Sequence, residues 1–167
     1  MKKFIICAVC AICGFTTASA QKFGHLDTQS IIQSMPEYTA ATTELEKLAK
    51  QYEDDQKAMQ DEMQKKVAAY EKEAETLPKN IKDRREQELN ELYTRLQESV
   101  KSNQTAFQQA QQEKLQAIHA KLLDAIKAVG QEGGYVYIME MGAGIPYIST
   151  TLSTDVTAQV KAKLGLK

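Results

Sequence analysis

The sequence predicts an α+β protein, predominantly α, in which a long antiparallel helical hairpin projects from a small β-rich body. Residues 37–129 contain no glycine and one proline, Pro78, and such a composition favours uninterrupted helix. The flanking residues carry the glycine, proline and tyrosine that are typical of turns and short strands. Two unlike regions in one chain therefore define the fold class.

The first twenty residues have the pattern of a cleavable secretory signal peptide. Lys2 and Lys3 precede an apolar run that ends at Phe15, and Ala18-Ser19-Ala20 has the spacing of a cleavage site. No apolar run approaches the ~20 residues that a membrane-spanning helix needs. We expect residues 1–20 to be removed, leaving a soluble mature chain that starts near Gln21.

All three cysteines, Cys7, Cys10 and Cys13, lie inside this signal. Lipidation of one of them is the less favoured alternative, because Val9 and Ile12 precede Cys10 and Cys13 where lipoprotein processing normally requires a small residue. The mature chain then has no disulfide and no thiolate metal site. Without Lys2 and Lys3 it holds 19 basic and 22 acidic residues, a mild balance that gives no support to nucleic-acid binding.

Pro78 divides the glycine-free stretch into two arms of the hairpin. Proline disrupts a helix interior and biases the residue before it away from helical angles. The segment Thr76-Leu77-Pro78-Lys79-Asn80 therefore predicts a turn, with the tip of the hairpin near residues 76–82. The two helices should contain about 40 and 50 residues and extend roughly 60 to 75 Å.

Each arm has a single apolar seam whose members are three or four residues apart. Its first-arm members are Leu45, Leu48, Tyr52, Gln56, Met59, Met63, Val67, Tyr70, Ala74 and Leu77. Its second-arm members are Ile81, Arg85, Leu89, Leu92, Leu96, Val100, Asn103, Phe107 and Ala110. The first arm is acidic and the second mildly basic, which predicts complementary charges between the two helices.

The remaining mature residues, 21–36 and 130–167, form the predicted β-rich body. Lys22–Asp27 is a short strand, and Tyr135–Met141 is predicted to form a hairpin with residues 145–149 across a glycine turn. Thr154 is expected to cap a final helix that ends at Gly165. Because 54 cysteine-free residues make a marginal core, we expect protomers to associate through their strand edges.

Short motifs at both ends of the mature chain resemble the Skp/OmpH chaperone family. They are Phe23-Gly24-His25-Leu26-Asp27, Ile31-Ile32, Met35-Pro36-Glu37-Tyr38, Tyr135-Val136-Tyr137-Ile138 and Thr154-Asp155-Val156-Thr157. The resemblance implies a periplasmic homotrimer in a Gram-negative bacterium that binds unfolded outer-membrane proteins between three arms without ATP. It also implies a trimer body that includes Phe23, Leu26, Tyr135, Tyr137 and Ile138.

Two sets of arm residues are candidates for binding. Lys79, Lys82, Arg84 and Arg85, which we call the tip cluster, could steer acidic clients or contact anionic lipid. The alternative is that they only solvate the end of the hairpin. Tyr52, Met59, Met63, Tyr70 and Phe107 are adaptable side chains suited to client contacts, although their seam positions favour packing between the helices.

Nothing in the sequence predicts an enzyme, a cofactor or a metal site. His25 and His119 have no ligand at helical spacing, and no glycine-rich phosphate loop precedes a helix. The alternative to a chaperone is a structural or tethering coiled-coil protein of the cell envelope. A tether, however, does not need a β-rich association module.

Overall fold

The computed structural model describes residues 21–142 and 144–166, and the predicted signal peptide lies outside the described residues. The described chain divides into two compact units. The body unit contains residues 21–28 and Ala125–Gly165, and the arm unit contains Gln29–Asp124. The predominantly helical fold class with a small sheet is confirmed.

The arm unit holds the short helix α1 (Thr28–Ser34), the long helix α2 (Pro36–Glu73) and most of α3 (Lys79–Gly133). With 38 and 55 residues, the long helices agree with the lengths predicted. Helix α2 begins with Pro36 in its first turn, where a missing N–H costs no helical hydrogen bond.

The turn at Pro78 forms where it was predicted. The backbone N–H groups of Thr76 and Leu77 both donate to the Glu73 carbonyl, at 2.9 and 3.1 Å. The Ile81 N–H donates to the Pro78 carbonyl at 2.9 Å and so opens α3. Proline therefore ends one arm and starts the other.

The first-arm seam is confirmed at every predicted position. From residue 42 to residue 77, the ten predicted positions are half-buried and every other residue is exposed. The seam of α3 is confirmed except at Arg85 and Val100, which are exposed. Those two residues lie at the margin of the contact between the helices. In a straight helix, residues three and four apart do not stay exactly in line, so the buried face rotates slowly around the helix axis.

The body unit is built on a three-stranded parallel sheet. Strand β1 (Lys22–Leu26) lies between β2 (Tyr135–Glu140) and β3 (Ser153–Asp155). Leu26, in the central strand, is 2% exposed. The helix α4 (Thr157–Lys163) follows β3, and Val156 at its N-cap and Val160 within it are fully buried.

The predicted hairpin between Tyr135–Met141 and residues 145–149 is wrong. The second segment has no regular secondary structure, and β1 takes its place beside β2 in parallel register. Pro146 has no N–H for a sheet ladder, and Gly142 and Gly144 adopt positive φ angles of 90° and 77°. Both features favour a loop that carries the chain to β3.

Thr154 was also wrongly predicted to cap the last helix, because it belongs to β3. The N-cap residue is Val156, which makes no side-chain capping hydrogen bond, and Asp155 Oδ1, one residue earlier, accepts a 2.8 Å hydrogen bond from the Thr157 N–H. A hydrogen bond with the Thr157 side chain, followed by this backbone bond, holds the pKa of the Asp155 carboxyl below its usual value. The helix ends before Gly165, as predicted, and Gly165 has a positive φ of 74°.

Candidate functional site

The adaptable side chains predicted for client contacts are half-buried in the seam of the arm unit. Tyr52, Met59, Met63 and Tyr70 lie on α2, and Phe107 lies on α3. Much of each side chain therefore packs helix against helix, and the remainder is open to solvent. The arrangement provides partly accessible apolar surface along the arm.

Two shallow grooves run between α2 and α3. A groove of about 340 Å³ is lined by Tyr52, Val100 and Phe107 among others. A second groove, of about 430 Å³, is lined by Met63, Val67 and Leu96 together with glutamine and alanine side chains. Each exposes apolar atoms at the seam, so an unfolded chain could contact the arm there.

The tip cluster divides into paired and unpaired cations. Glu88 accepts a hydrogen bond from Arg85 Nη1 at 3.3 Å and lies 3.8 Å from Arg84 Nε. Within residues 21–142 and 144–166, neither Lys79 nor Lys82 has a carboxylate within 4.0 Å. The two lysines are therefore the tip cations without a carboxylate partner, whereas Arg84 and Arg85 share the single carboxylate of Glu88.

A tyrosine close to the tip joins the two arms. The Tyr70 hydroxyl on α2 donates a short hydrogen bond to Glu86 on α3. This bond raises the pKa of Tyr70 to about 12, because ionising the phenol would place a second negative charge beside the carboxylate. Tyr70 also lines a pocket of about 160 Å³ with Leu77, Arg85 and Leu89.

The predicted charge complementarity between the arms is confirmed by two ion pairs. Lys121 pairs with Glu37, and Lys114 pairs with Glu44. As residue numbers rise along α2 they fall along α3, so the helices are antiparallel. The lysine hydrogen bonds hold the pKa values of Glu37 and Glu44 below their ordinary value.

We predict that these pairs make the hairpin sensitive to acid. A carboxyl whose pKa is lowered by folding stabilises the native state above its unfolded pKa, near 4.5, and loses that contribution as the pH falls through the folded pKa. The double variant Glu37→Gln, Glu44→Gln should therefore melt slightly below the unaltered protein at pH 7, and the two should converge below pH 4. Thermal melts followed by circular dichroism at several pH values test this. A constant difference at all pH values would contradict it.

The residues predicted for the body lie on adjacent strands of the sheet. Phe23 on β1 and Tyr137 on β2 stack with ring centroids 4.8 Å apart. A Cβ added at Gly24 would lie 3.1 Å from Ile138 and 3.3 Å from Tyr135, so glycine allows these side chains to approach the strand closely. Leu26, the remaining residue predicted for the body, is buried in the core.

Sequence reasoning missed the apolar surface beside this sheet. A cavity of about 260 Å³ lies among Phe23, Tyr137, Met139 and the loop that includes Tyr147 and Leu152. Tyr147 is 78% exposed and Leu152 is 76% exposed. The sequence predicts a strand for residues 145–149. In the structure they belong instead to the loop that lines this cavity beside the sheet.

His25 lies in β1, and its Nδ1 is 2.8 Å from the Ser153 hydroxyl on β3. Among the described residues, no group of three or more histidine, cysteine, aspartate or glutamate side chains could hold a metal ion. In the same part of the chain, no helix is long and apolar enough to cross a membrane.

The sequence of the chain is similar to that of known proteins over nearly its whole length. The family model described as outer membrane protein (OmpH-like) matches residues 22–164. The chain is 27% identical over 170 residues to the chaperone protein Skp of Pectobacterium atrosepticum, and the match covers 96% of this chain and all of that protein. It is 25% identical over 169 residues to the chaperone protein Skp of Yersinia enterocolitica, with the same coverage.

A solved structure shares the fold. The crystal structure of an OmpH-like outer membrane chaperone from Caulobacter crescentus superimposes with a TM-score of 0.75. The superposition covers 86% of this chain and 83% of that one, at 14% sequence identity. The resemblance carried by the terminal motifs is thereby confirmed.

Proposed function

The chain belongs to the OmpH-like family, and from this we propose that it is an ATP-independent holdase chaperone for unfolded outer-membrane proteins. A chaperone role is supported by relatives named chaperone protein Skp. The observation that carries the proposal is the extent of those matches, which span the relatives from end to end. The similarity to the chaperones therefore does not rest on one segment of their sequence.

We propose that three copies associate through their bodies and hold a client between their arms. The exposed apolar residues of the body unit, including Tyr147 and Leu152, support association, because large apolar patches on isolated protomers mark interaction surfaces. The grooves along the seam support weak, adaptable contacts with an unfolded chain. Residues Tyr52, Met59, Met63, Tyr70 and Phe107 are the proposed apolar contacts.

The proposed site of action is the periplasm of a Gram-negative bacterium. The signal-like pattern of residues 1–20 and the Skp relatives support this location. An unfolded outer-membrane protein must cross this compartment with its apolar strand residues and unpaired backbone groups exposed to water. A holdase there would keep the precursor from aggregating until it reaches the membrane.

A light-scattering experiment tests the proposed function. A urea-unfolded outer-membrane barrel is diluted into buffer with increasing amounts of the mature protein. We expect scattering to be suppressed at about one trimer per client, with no nucleotide added. A tethering coiled coil, the alternative function, would leave the scattering unchanged at every ratio.

The tip cluster leads to a prediction about the rate of client capture. Because Arg84 and Arg85 already pair with Glu88, the unpaired Lys79 and Lys82 should dominate attraction of an acidic client. Lys79→Gln with Lys82→Gln should slow association severalfold at low salt, and added salt should reduce the rate of the unaltered protein. Stopped-flow fluorescence with a labelled unfolded barrel measures both effects.

The matched control is Arg84→Gln with Arg85→Gln, which removes the paired cations and should change the rate less. Dissociation should change little in either variant, since apolar contacts would determine it. Equal association rates for all three proteins at low salt would show that the cluster only solvates the tip. Flotation with anionic vesicles tests the proposed lipid contact separately.

A further inference from the structure

One flank of α3 carries a row of uncharged residues beside the seam, which we call the neutral stripe. It runs from Tyr93 to Leu115, with members three or four residues apart that share one side of the helix. Its apolar members are Tyr93, Val100 and Leu115. Its amide members are Gln97, Gln104, Gln108 and Gln111.

The apolar members of the stripe are open to solvent. Tyr93 is 50% exposed, Val100 39% and Leu115 36%. Among the described residues of the arm unit, the only other large apolar side chain with comparable exposure is Leu123, also on α3. Three of the four large exposed apolar side chains in the described arm therefore lie along one flank of α3, and Leu123 lies on another side of the same helix.

The amide members of the stripe have no partner within the described chain. Gln97, Gln104, Gln108 and Gln111 are exposed, and none of their side chains forms a hydrogen bond among residues 21–142 and 144–166. Off the stripe, Gln109 Nε2 donates to Glu113 at 3.0 Å, whereas the side chains of Gln112 and Gln116 also lack a partner among the described residues. The stripe therefore presents free donors and acceptors between its apolar side chains.

Charge is absent from the stripe but not from the rest of the helix. Arg84, Glu91, Arg95 and Glu98 are exposed on other sides of α3. At its centre the stripe is continuous with apolar surface of the seam, because Val100 and Gln104 line the same 340 Å³ groove as Phe107. An occupant of the stripe would therefore also contact the groove.

The length of the stripe suits one particular occupant. Tyr93 and Leu115 are separated by 22 helical steps, or about 33 Å at 1.5 Å per residue. An extended strand of about ten residues has the same length, and a transmembrane β-strand contains about 9–11 residues. Such a strand carries apolar side chains and unpaired backbone N–H and C=O groups, which the apolar and amide members of the stripe complement.

We infer that the neutral stripe is the docking site for a single extended transmembrane strand of an unfolded outer-membrane barrel. The inference rests on the proposed function and specifies which surface of the arm binds the client. Client side chains contact Tyr93, Val100 and Leu115, while the client backbone exchanges hydrogen bonds with the glutamines. A charge placed on the stripe must then lose its hydration when the strand binds.

Two triple variants test this, measured as the dissociation constant for a labelled, urea-unfolded barrel after dilution. In the first, Gln104, Gln108 and Gln111 become glutamate, and in the second they become lysine. Each should raise the dissociation constant at least tenfold. If glutamate and lysine both raise the dissociation constant, the cause is the loss of hydration of the charge. If long-range attraction to the client were the cause, one sign of charge would raise the dissociation constant and the other would lower it.

The control variants place the same charges on another side of the same helical segment. Gln109, Gln112 and Gln116 are exposed and have the same three- and four-residue spacings, so repulsion among the new charges is matched. These variants should change the dissociation constant less than twofold. Circular dichroism should show equal helix content throughout.

The outcomes separate failure of the inference from failure of the proposed function. If the unaltered protein does not hold the barrel soluble, the proposed function fails. If it does, and the stripe variants bind as tightly as it does or the control variants weaken equally, the docking site is wrong. A changed sedimentation coefficient in the stripe variants alone would show instead that a second copy of the chain covers the stripe.

Discussion

Replacing Leu26 by alanine should lower the free energy of unfolding of the body by about 2–5 kcal/mol. Leu26 is 2% exposed in the central strand of the sheet, so the shortened side chain leaves a cavity that neighbours on both sides cannot readily fill. The loss is large for so small a unit, because few other side chains in the described part of the body are fully buried.

Chemical denaturation followed by tyrosine fluorescence measures this effect. Protein concentration must be held fixed, since association would couple assembly to stability. The control is Leu123→Ala, the same change at a residue that is 53% exposed, which should alter stability by less than about 0.5 kcal/mol. A Leu26→Ala protein as stable as the control would show that the sheet is not the core of the body.

Replacing Leu152 by lysine should dissociate the proposed trimer without unfolding the protomer. In the protomer Leu152 is 76% exposed, so a longer polar side chain costs little there. If association buries Leu152, each copy gains about 1.5–3 kcal/mol from covering this side chain. The lysine variant loses that gain and must also desolvate a charge. Three copies multiply this loss.

Sedimentation velocity at micromolar concentration measures the assembly, and circular dichroism reports the fold. The matched control is Leu123→Lys, which places the same charge on an exposed leucine of the arm and should leave the sedimentation coefficient unchanged. Tyr147→Lys, at a residue that is 78% exposed, should reproduce the effect of Leu152→Lys. A Leu152→Lys protein that sediments like the unaltered one would remove this surface from the proposed interface.

The arms could be predicted from the sequence almost residue by residue. Their seam depends on side chains three or four positions apart, and helical geometry alone brings these together. The turn at Pro78 is likewise local, because a single residue lacks an N–H and restricts its predecessor. The candidate residues of the tip and seam followed from the same local rules.

The body could be predicted only in part, because its sheet joins distant residues. Propensity identified Tyr135–Met141 as a strand, but not its partner, since β1 is more than one hundred residues away in the chain. The nearby apolar segment 145–149 does not pair with it, because Pro146 lacks the N–H that a strand ladder needs. The apolar surface around Tyr147 and Leu152 was missed for the same reason.

The sequence by itself therefore determined the helical hairpin, its tip and its seam, because each depends on contacts between residues close along the chain. Only the tertiary structure decided the strand order, the path of the loop after β2 and the hydrogen bond of Tyr70 with Glu86 between the two arms. Parallel pairing and side-chain hydrogen bonding depend on relative positions in space, which periodicity does not encode.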